Sequence, residues 1–340
     1  MVEPYLSPLH NLHVKNNAKF IEFAGWNMPF SYSGTLKEHA LVRNDVGYFD
    51  VSHMGRLKIN NVSIDILNSL ICSDIKNIEN GKALYSIFTD TNGCALDDVI
   101  FWKFNNYILL ICNAVNLNKI SNHLKSQNVE FQDITKETAL IAVQGPNALK
   151  ILDNLITIPE SFSCLADEIF TYARTGYTGE DGLEVMVDIK NLEKITNFLD
   201  SYEIQPCGLG SRDTLRLEAS LPLYGFELSE DITPVEASLK WTLSNKEPYL
   251  GSESINRQLH TGDHKVLKKF TIDSRNIARS GTKVMAGGIS GIVTSGNYSP
   301  ILSKAIGFAL FDSDPDTDLL EFEIRGNLVE GKVIKKRFLS

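Results

Sequence analysis

Apolar residues recur along this chain in two rhythms, and turn-forming residues mark where one gives way to the other. Leu36, Ala40 and Leu41 form a helical stripe, so a helix is predicted over Thr35 to Asn44. Thr35-Leu36-Lys37-Glu38 opens it at capping-box spacing, and Gly47 stops it before extended chain resumes at Tyr48 to Ser52. Ile64, Leu67, Leu70 and Ile71 predict a second helix over Ser63 to Cys72. The rhythm then changes to strands. Asp90-Thr91-Asn92-Gly93 separates Ala83–Phe88 from Leu96–Phe104, and Asn105-Asn106 separates that run from Tyr107–Cys112, the pattern of an antiparallel meander. Further along, Leu117–Leu124 reads as a helix, Ala139–Val143 as a buried strand, and Ala148, Leu149 and Leu152 as a helix after Gln144-Gly145-Pro146. Leu183–Val187 alternates as a strand and Ser211–Glu218 is helical in pattern. Beyond a hinge at Thr261-Gly262-Asp263, Val-, Ile- and Phe-rich runs alternate with glycines, which predicts a closing all-β barrel or sandwich. The expectation is an α+β body followed by a β domain.

Composition narrows the function classes. The 340 residues hold 33 Lys and Arg against 42 Asp and Glu, a net charge of −9, which disfavours nucleic acid and anionic lipid as partners. The longest apolar runs are too short to span a bilayer, and Met1-Val2-Glu3-Pro4-Tyr5 lacks a leader's apolar core. Cys72, Cys94, Cys112, Cys164 and Cys207 are scattered without a Cys-x-x-Cys pair, which reads as reduced thiols in a cytoplasmic protein. The seven histidines show no metal-ligand spacing, so no metal is expected, and no nucleophile elbow is present.

Three segments can carry chemistry. Asp97-Asp98 precedes the strand Val99-Ile100-Phe101-Trp102, and alternation places Asp98 on the face of Ile100 and Trp102. A carboxylate among apolar groups can act as a general base or stabilise a cation; the plain alternative is two turn acids facing water. Gly176-Tyr177-Thr178-Gly179-Glu180-Asp181-Gly182-Leu183-Glu184 is glycine-rich without being a phosphate loop or dinucleotide fingerprint, and its plain reading is a hairpin with an outward Glu184. In Gly208–Glu218, Ser211 can cap a helix whose first turn holds Arg212. A cation there opposes the helix dipole unless an anion or an ion-pair partner stands nearby.

Those segments, taken with Phe23–Pro29, Val42-Arg43, Phe49–Gly55, Gly81–Ser86, Ala142–Pro146, Leu223-Tyr224-Gly225, Thr233–Glu236 and Thr294–Pro300, resemble the folate-binding aminomethyltransferase (T-protein) family of the glycine cleavage system. The blocks follow the family's order over nearly the whole chain. The resemblance implies a three-domain α+β cloverleaf around a central folate channel, closed by a C-terminal β-barrel. It places two interleaved domains in residues 1–262, the second inserted at about 52–137, and the barrel in 263–340. It implies tetrahydrofolate as co-substrate and the lipoylated H-protein as partner, with this chain monomeric or transiently complexed. Carried over residue by residue, Asp98 becomes the catalytic aspartate, hydrogen-bonding the folate near the nitrogens that accept the carbon. Glu184 would bind the amino-pyrimidine edge of the pterin, Arg212 would serve the same site, and Tyr85, Asn113, Tyr224 and Trp241 would contact folate or line its channel.

Two departures stand out. Cys94 replaces the second glycine of a Gly-Gly pair, and the chain stops at Lys335–Ser340, short of the family's usual end. A folate-dependent demethylase of a small methylated substrate is an alternative within the superfamily, disfavoured by the intact Leu96-Asp97-Asp98. A non-catalytic folate protein supporting iron–sulfur clusters is another, disfavoured because Leu223-Tyr224-Gly225-Phe226-Glu227 lacks that group's cysteine.

Overall fold

Alternation of apolar and polar residues builds three open sheets and one closed barrel in the computed structural model, which describes residues 3–246 and 248–339. Met1, Val2 and Ser340, on which the readings of the two chain ends partly rest, lie outside the described residues. The described chain divides into two compact units. One holds residues up to Leu67 with Ile75–Ser86 and Val99–Leu215; the other holds Asn68–Asp74, Ile87–Asp98 and Arg216 onward.

The first unit centres on a six-stranded sheet, in the order Cys164–Ala166, Phe170–Ala173, Gly182–Asp188, Thr138–Gln144, Gly47–Asp50, Gln205–Cys207. All neighbours are antiparallel except the last pair, which is parallel. Both faces are covered. Ile141, Val143, Leu183, Val185 and Val187 enter one apolar cluster, and Leu140, Ala142, Ala173 and Met186 enter another. That double burial explains why these strands read as continuous apolar runs. A three-stranded sheet is formed by Tyr5–Leu6, Trp26–Ser31 and Lys19–Phe23.

The meander appears as predicted. Lys82–Thr89, Ala95–Lys103 and Tyr107–Cys112 are consecutive in a five-stranded sheet completed by Gly55–Asn60 and Phe131–Asp133. Phe104 and Tyr107 close the Asn105-Asn106 turn with a 2.9 Å backbone hydrogen bond. The helix Thr35–Asn44 has the expected bounds, but its cap is Gly34 and not Thr35. The second helix is shorter than expected: it spans Ile64–Leu70, while Ile71 leaves it to bridge Phe88.

In the second unit the hinge proves to be the end of a helix, Ser252–Thr261, terminated by Gly262 in the left-handed conformation (φ 68°). Six strands between Val266 and Ile334 then close a barrel. Phe270, Phe311 and Phe322 are fully buried in its core, with Phe270 and Phe322 centroids 4.5 Å apart. No described helix is long and apolar enough to cross a membrane.

Candidate active site

Glu184 lies mid-sheet, opposite Ala142 on one neighbouring strand and Ala173 on the other. Two methyl side chains beside it leave room for a carboxylate. It is only 7 % exposed, not the outward hairpin residue of the plain reading. Thr175 Oγ1 donates to it at 2.6 Å. Between them runs the glycine-rich loop, and two of its glycines are required by close packing. A Cβ at Gly176 would fall 1.9 Å from Gln144 Oε1, and one at Gly182 would fall 2.1 Å from the Val143 carbonyl. Gln144 holds the loop from beneath, donating to the Thr175 carbonyl at 3.2 Å and accepting from Thr178 Oγ1 at 3.0 Å. Arg43, on the helix Thr35–Asn44, donates to the Thr178 carbonyl at 2.7 Å, Glu180 at 2.8 Å and the Leu215 carbonyl at 3.1 Å.

Arg212 sits in the first turn of the helix Leu209–Glu218, as its sequence position predicts. The start of this helix is held by Glu38, a buried acid that accepts from Gly208 N at 2.8 Å and Ser211 Oγ at 3.3 Å. The other carboxylate oxygen of Glu38 accepts from Tyr32 N and Gly34 N at 2.7 and 3.0 Å. Arg212 is half-buried, yet its Nη1 is fully enclosed and has no hydrogen-bond partner. Burial pulls its guanidinium below the usual arginine range, while the charges of Glu184 and Tyr177 act in the opposite sense. The Tyr177 ring lies 4.8 Å from the guanidinium carbon. Glu184, Arg212 and Tyr177 are thus one electrostatic neighbourhood.

His53 belongs to that neighbourhood, and sequence reasoning missed it because its spacing to other histidines carries no signal. It follows the strand Gly47–Asp50 and is 6 % exposed, with an enclosed Nδ1 that has no partner. Phe23 meets its ring edge-on at 5.4 Å. Burial pushes the imidazole down to about 4; Asp50 opposes the shift, and the cations of Arg212 and Arg56 add to it. The Asp50 carboxylate itself is locked. His13 Nε2 lies 2.7 Å away, Ser52 N donates at 2.9 Å, and Ser7 Oγ donates as well. Burial alone would raise Asp50, but these bonds and the His13 charge outweigh it and hold the acid at about 2.

Asp97 and Asp98 belong to the second unit, at the start of the strand Ala95–Lys103. Alternation holds, but the fully buried acid is Asp97, on the face of Val99 and Phe101; Asp98 is half-buried, as are Leu96 and Ile100. Neither matches the picture of a pair of turn acids facing water. Asp90 Oδ1 ties the preceding turn by accepting from Asn92 N and Cys94 N, each at 2.8 Å. Gly93 adopts φ 82° there, close against the Gly251 carbonyl and Ile255. Burial and the nearby acids Asp90, Glu236 and Asp231 push the Cys94 thiol up to about 11, so it stays protonated at neutral pH. Tyr224 is half-buried, its hydroxyl 3.4 Å from the Ala95 carbonyl, and Ala95 N donates to the Ile232 carbonyl at 2.9 Å. Tyr85 is half-buried in Lys82–Thr89, and Asn113 is half-buried, its carbonyl closing a turn with Asn116 N. Trp241 is 68 % exposed. Among the described residues no group of three His, Cys, Asp or Glu is placed to hold a metal ion.

Comparison with known proteins adds a family. Residues 9–247 match the family model of the GCVT N-terminal domain, and residues 265–339 match that of the glycine cleavage T-protein C-terminal barrel domain. An aminomethyltransferase of Thermosipho melanesiensis is 39 % identical over 98 % of this chain and 96 % of its own. One from Legionella pneumophila (strain Paris) is 38 % identical, with 98 % of each chain covered. The crystal structure of glycine cleavage system aminomethyltransferase T from Bartonella henselae superimposes with a TM-score of 0.90 over 98 % of both chains at 27 % identity.

Proposed function

The chain belongs to the glycine cleavage T-protein family, and from that premise we propose that it transfers the one-carbon unit of aminomethyl-lipoyl H-protein to tetrahydrofolate. The products are methylenetetrahydrofolate, ammonia and dihydrolipoyl H-protein. One observation carries the proposal for the folate: the enclosed, unpartnered Nη1 of Arg212 shares its electrostatic surroundings with the buried carboxylate of Glu184. A reduced pterin presents an amino group and a ring N–H side by side, with a carbonyl next to them. A carboxylate accepts from the paired donors, and a guanidinium donates to an oxygen. The residues present therefore fit the group. Tetrahydrofolate supplies the nitrogen that takes the carbon. Asp98 positions that nitrogen and stabilises positive charge at the transferred carbon, each a contribution of several kcal/mol where water is excluded. Tyr85, Asn113, Tyr224 and Trp241 are assigned to contacts with the remainder of the folate. The domain plan that goes with this reading inserts residues from about 52 to 137 as a second α+β domain, and what supports it is that the five-stranded sheet draws its strands from Gly55 to Asp133.

The test is calorimetric titration with tetrahydrofolate. Glu184→Gln and Arg212→Ala should each raise the Kd by about ten- to a hundredfold, the cost of losing a charge-assisted hydrogen bond. Asp98→Asn should leave the Kd within about threefold, because its role lies in the transfer. Unchanged binding in folded Glu184→Gln and Arg212→Ala would reject this site.

A further inference from the structure

The helix Thr35–Asn44 holds the helix Leu209–Glu218 at both ends. At its start Glu38 accepts from Gly208 N and Ser211 Oγ at 2.8 and 3.3 Å. In its final turn the Leu215 carbonyl accepts from Nη2 of Arg43 at 3.1 Å. The signs suit the helix dipole, with an anion at the positive end and a cation at the negative end. Arg43 also reaches a second partner. Its Nη1 donates to the Thr178 carbonyl at 2.7 Å and to Glu180 Oε1 at 2.8 Å, both in the glycine-rich loop. The Arg43 side chain is 6 % exposed, so these charge-assisted bonds are shielded from water. Tyr177, the residue before Thr178, brings its ring to 4.8 Å from the guanidinium carbon of Arg212. A closed circuit results: Arg43 grips the loop next to Tyr177, grips the helix three residues beyond Arg212, and Tyr177 and Arg212 meet. Glu184 is joined to the start of the same loop through Thr175 Oγ1 at 2.6 Å. An arginine that only fastened two helices would need the Leu215 bond alone.

We propose that Arg43 is a positioning residue of this site: by tying the loop that carries Tyr177 to the helix that carries Arg212, it fixes the aim of the Arg212 guanidinium at the heterocycle. It acts through the contact of Tyr177 with Arg212, because a cation keeps its place against a ring only while the two backbones keep their distance. Arginine suits the task. Its planar fork serves Thr178 and Glu180 from one nitrogen and Leu215 from the other, whereas a lysine offers a single compact charge. Gly176, Gly179 and Gly182 would give an unfastened loop wide conformational freedom, and that freedom would have to be lost on binding. With the loop already fastened, the ligand meets Tyr177 and Arg212 in place. This inference rests on the folate reading of the site and adds to it the residue that sets the loop and the helix together.

The experiment is a double-mutant cycle on the Kd for tetrahydrofolate, measured under anaerobic conditions in the wild type, Arg43→Met, Arg212→Ala and the variant carrying both substitutions. Arg43→Met should weaken binding about tenfold in the wild-type background and within about twofold once Arg212→Ala is present, since nothing is then left to aim. Arg43→Lys, which keeps the charge and loses the fork, should bind within about threefold of Arg43→Met. A folded Arg43→Met with the wild-type Kd would overturn the role of Arg43. So would equal losses in the two backgrounds, which a merely structural arginine would give, or full affinity in Arg43→Lys. An unchanged Kd in Arg212→Ala would instead overturn the site itself, and this role with it. Should Arg43→Met fail to fold, Glu180→Ala takes its place in the cycle. It removes one acceptor of Arg43 and should weaken binding about threefold, again only while Arg212 is present; an unchanged Kd, or the same loss without Arg212, would overturn the proposal.

Discussion

His53 and Asp50 are three residues apart, and both acquire their properties from burial opposed or reinforced by neighbours. The His53 ring ionises at about 4 in the folded protein and near 6.5 in the unfolded chain. Between those values the unfolded chain binds a proton that the folded one excludes, so stability falls as pH drops from about 6.5 toward 4. The full effect is on the order of 3 kcal/mol. Asp50, held at about 2 against an ordinary 3.8, works in a lower window: its contribution is complete above about pH 4 and is lost as pH falls toward 2. Urea unfolding at pH 7 and pH 4.5 should therefore show a fall in midpoint that His53→Asn largely abolishes; a variant with the same pH dependence as the wild type would contradict the assignment. The local order Asp50–His53–Arg56 does not announce this, because the burial of the ring and its neighbours Arg212 and Phe23 are assembled only by folding. The family blocks singled out Glu184 and Arg212, and Arg212 also stood out through its awkward place at a helix start. Alternation correctly put Asp97 and Asp98 on opposite faces of their strand. Which face is the deeper one depends on the layers around the strand and could not be read locally.

At the scale of elements, the seat of the helix Leu209–Glu218 decides where Arg212 stands. One carboxylate, Glu38, serves four donors on two separate stretches of chain: Tyr32 N, Gly34 N, Gly208 N and Ser211 Oγ. Gly208 allows the approach, since a Cβ there would lie 2.2 Å from the Phe30 carbonyl. Glu38→Ala removes the acceptor of Tyr32 N, Gly34 N and the buried Gly208 N, while Ser211 Oγ keeps the Gly208 carbonyl, and should cost about 3 kcal/mol in chemical unfolding. It should also weaken tetrahydrofolate binding without touching the ligand, by loosening the turn that carries Arg212. Full retention of both stability and binding would show that the helix is held by other means. The bounds of Thr35–Asn44 were readable from its stripe. Its cap was not, because Glu38 is recruited by residues 170 or more positions away. The helix Leu192–Ser201 buries Ile195, Phe198 and Leu199. The parallel pairing of Gln205–Cys207 with Gly47–Asp50 joins segments too far apart for any local pattern to reveal.

Over the whole molecule, what was most legible was the series of family blocks. They recur in order from Phe23 to Pro300, and two family models now cover residues 9–247 and 265–339. The acidic balance of 42 Asp and Glu against 33 Lys and Arg fits a protein whose substrates are a small heterocycle and a carrier protein better than one that tracks a phosphate backbone. Membership of the family and the enclosed, unpartnered Nη1 of Arg212 support the proposed reaction. The most direct measurement follows ammonia release from aminomethyl-loaded H-protein, with and without tetrahydrofolate, in the wild type, Asp98→Asn and Asp97→Asn. Ammonia should form at an appreciable rate only when both substrates are present. Asp98→Asn should lose at least about a hundredfold in turnover while keeping its fold and its folate affinity, and Asp97→Asn should lose less. Ammonia release that ignores tetrahydrofolate, or full turnover in Asp98→Asn, would contradict the transfer mechanism assigned to this chain.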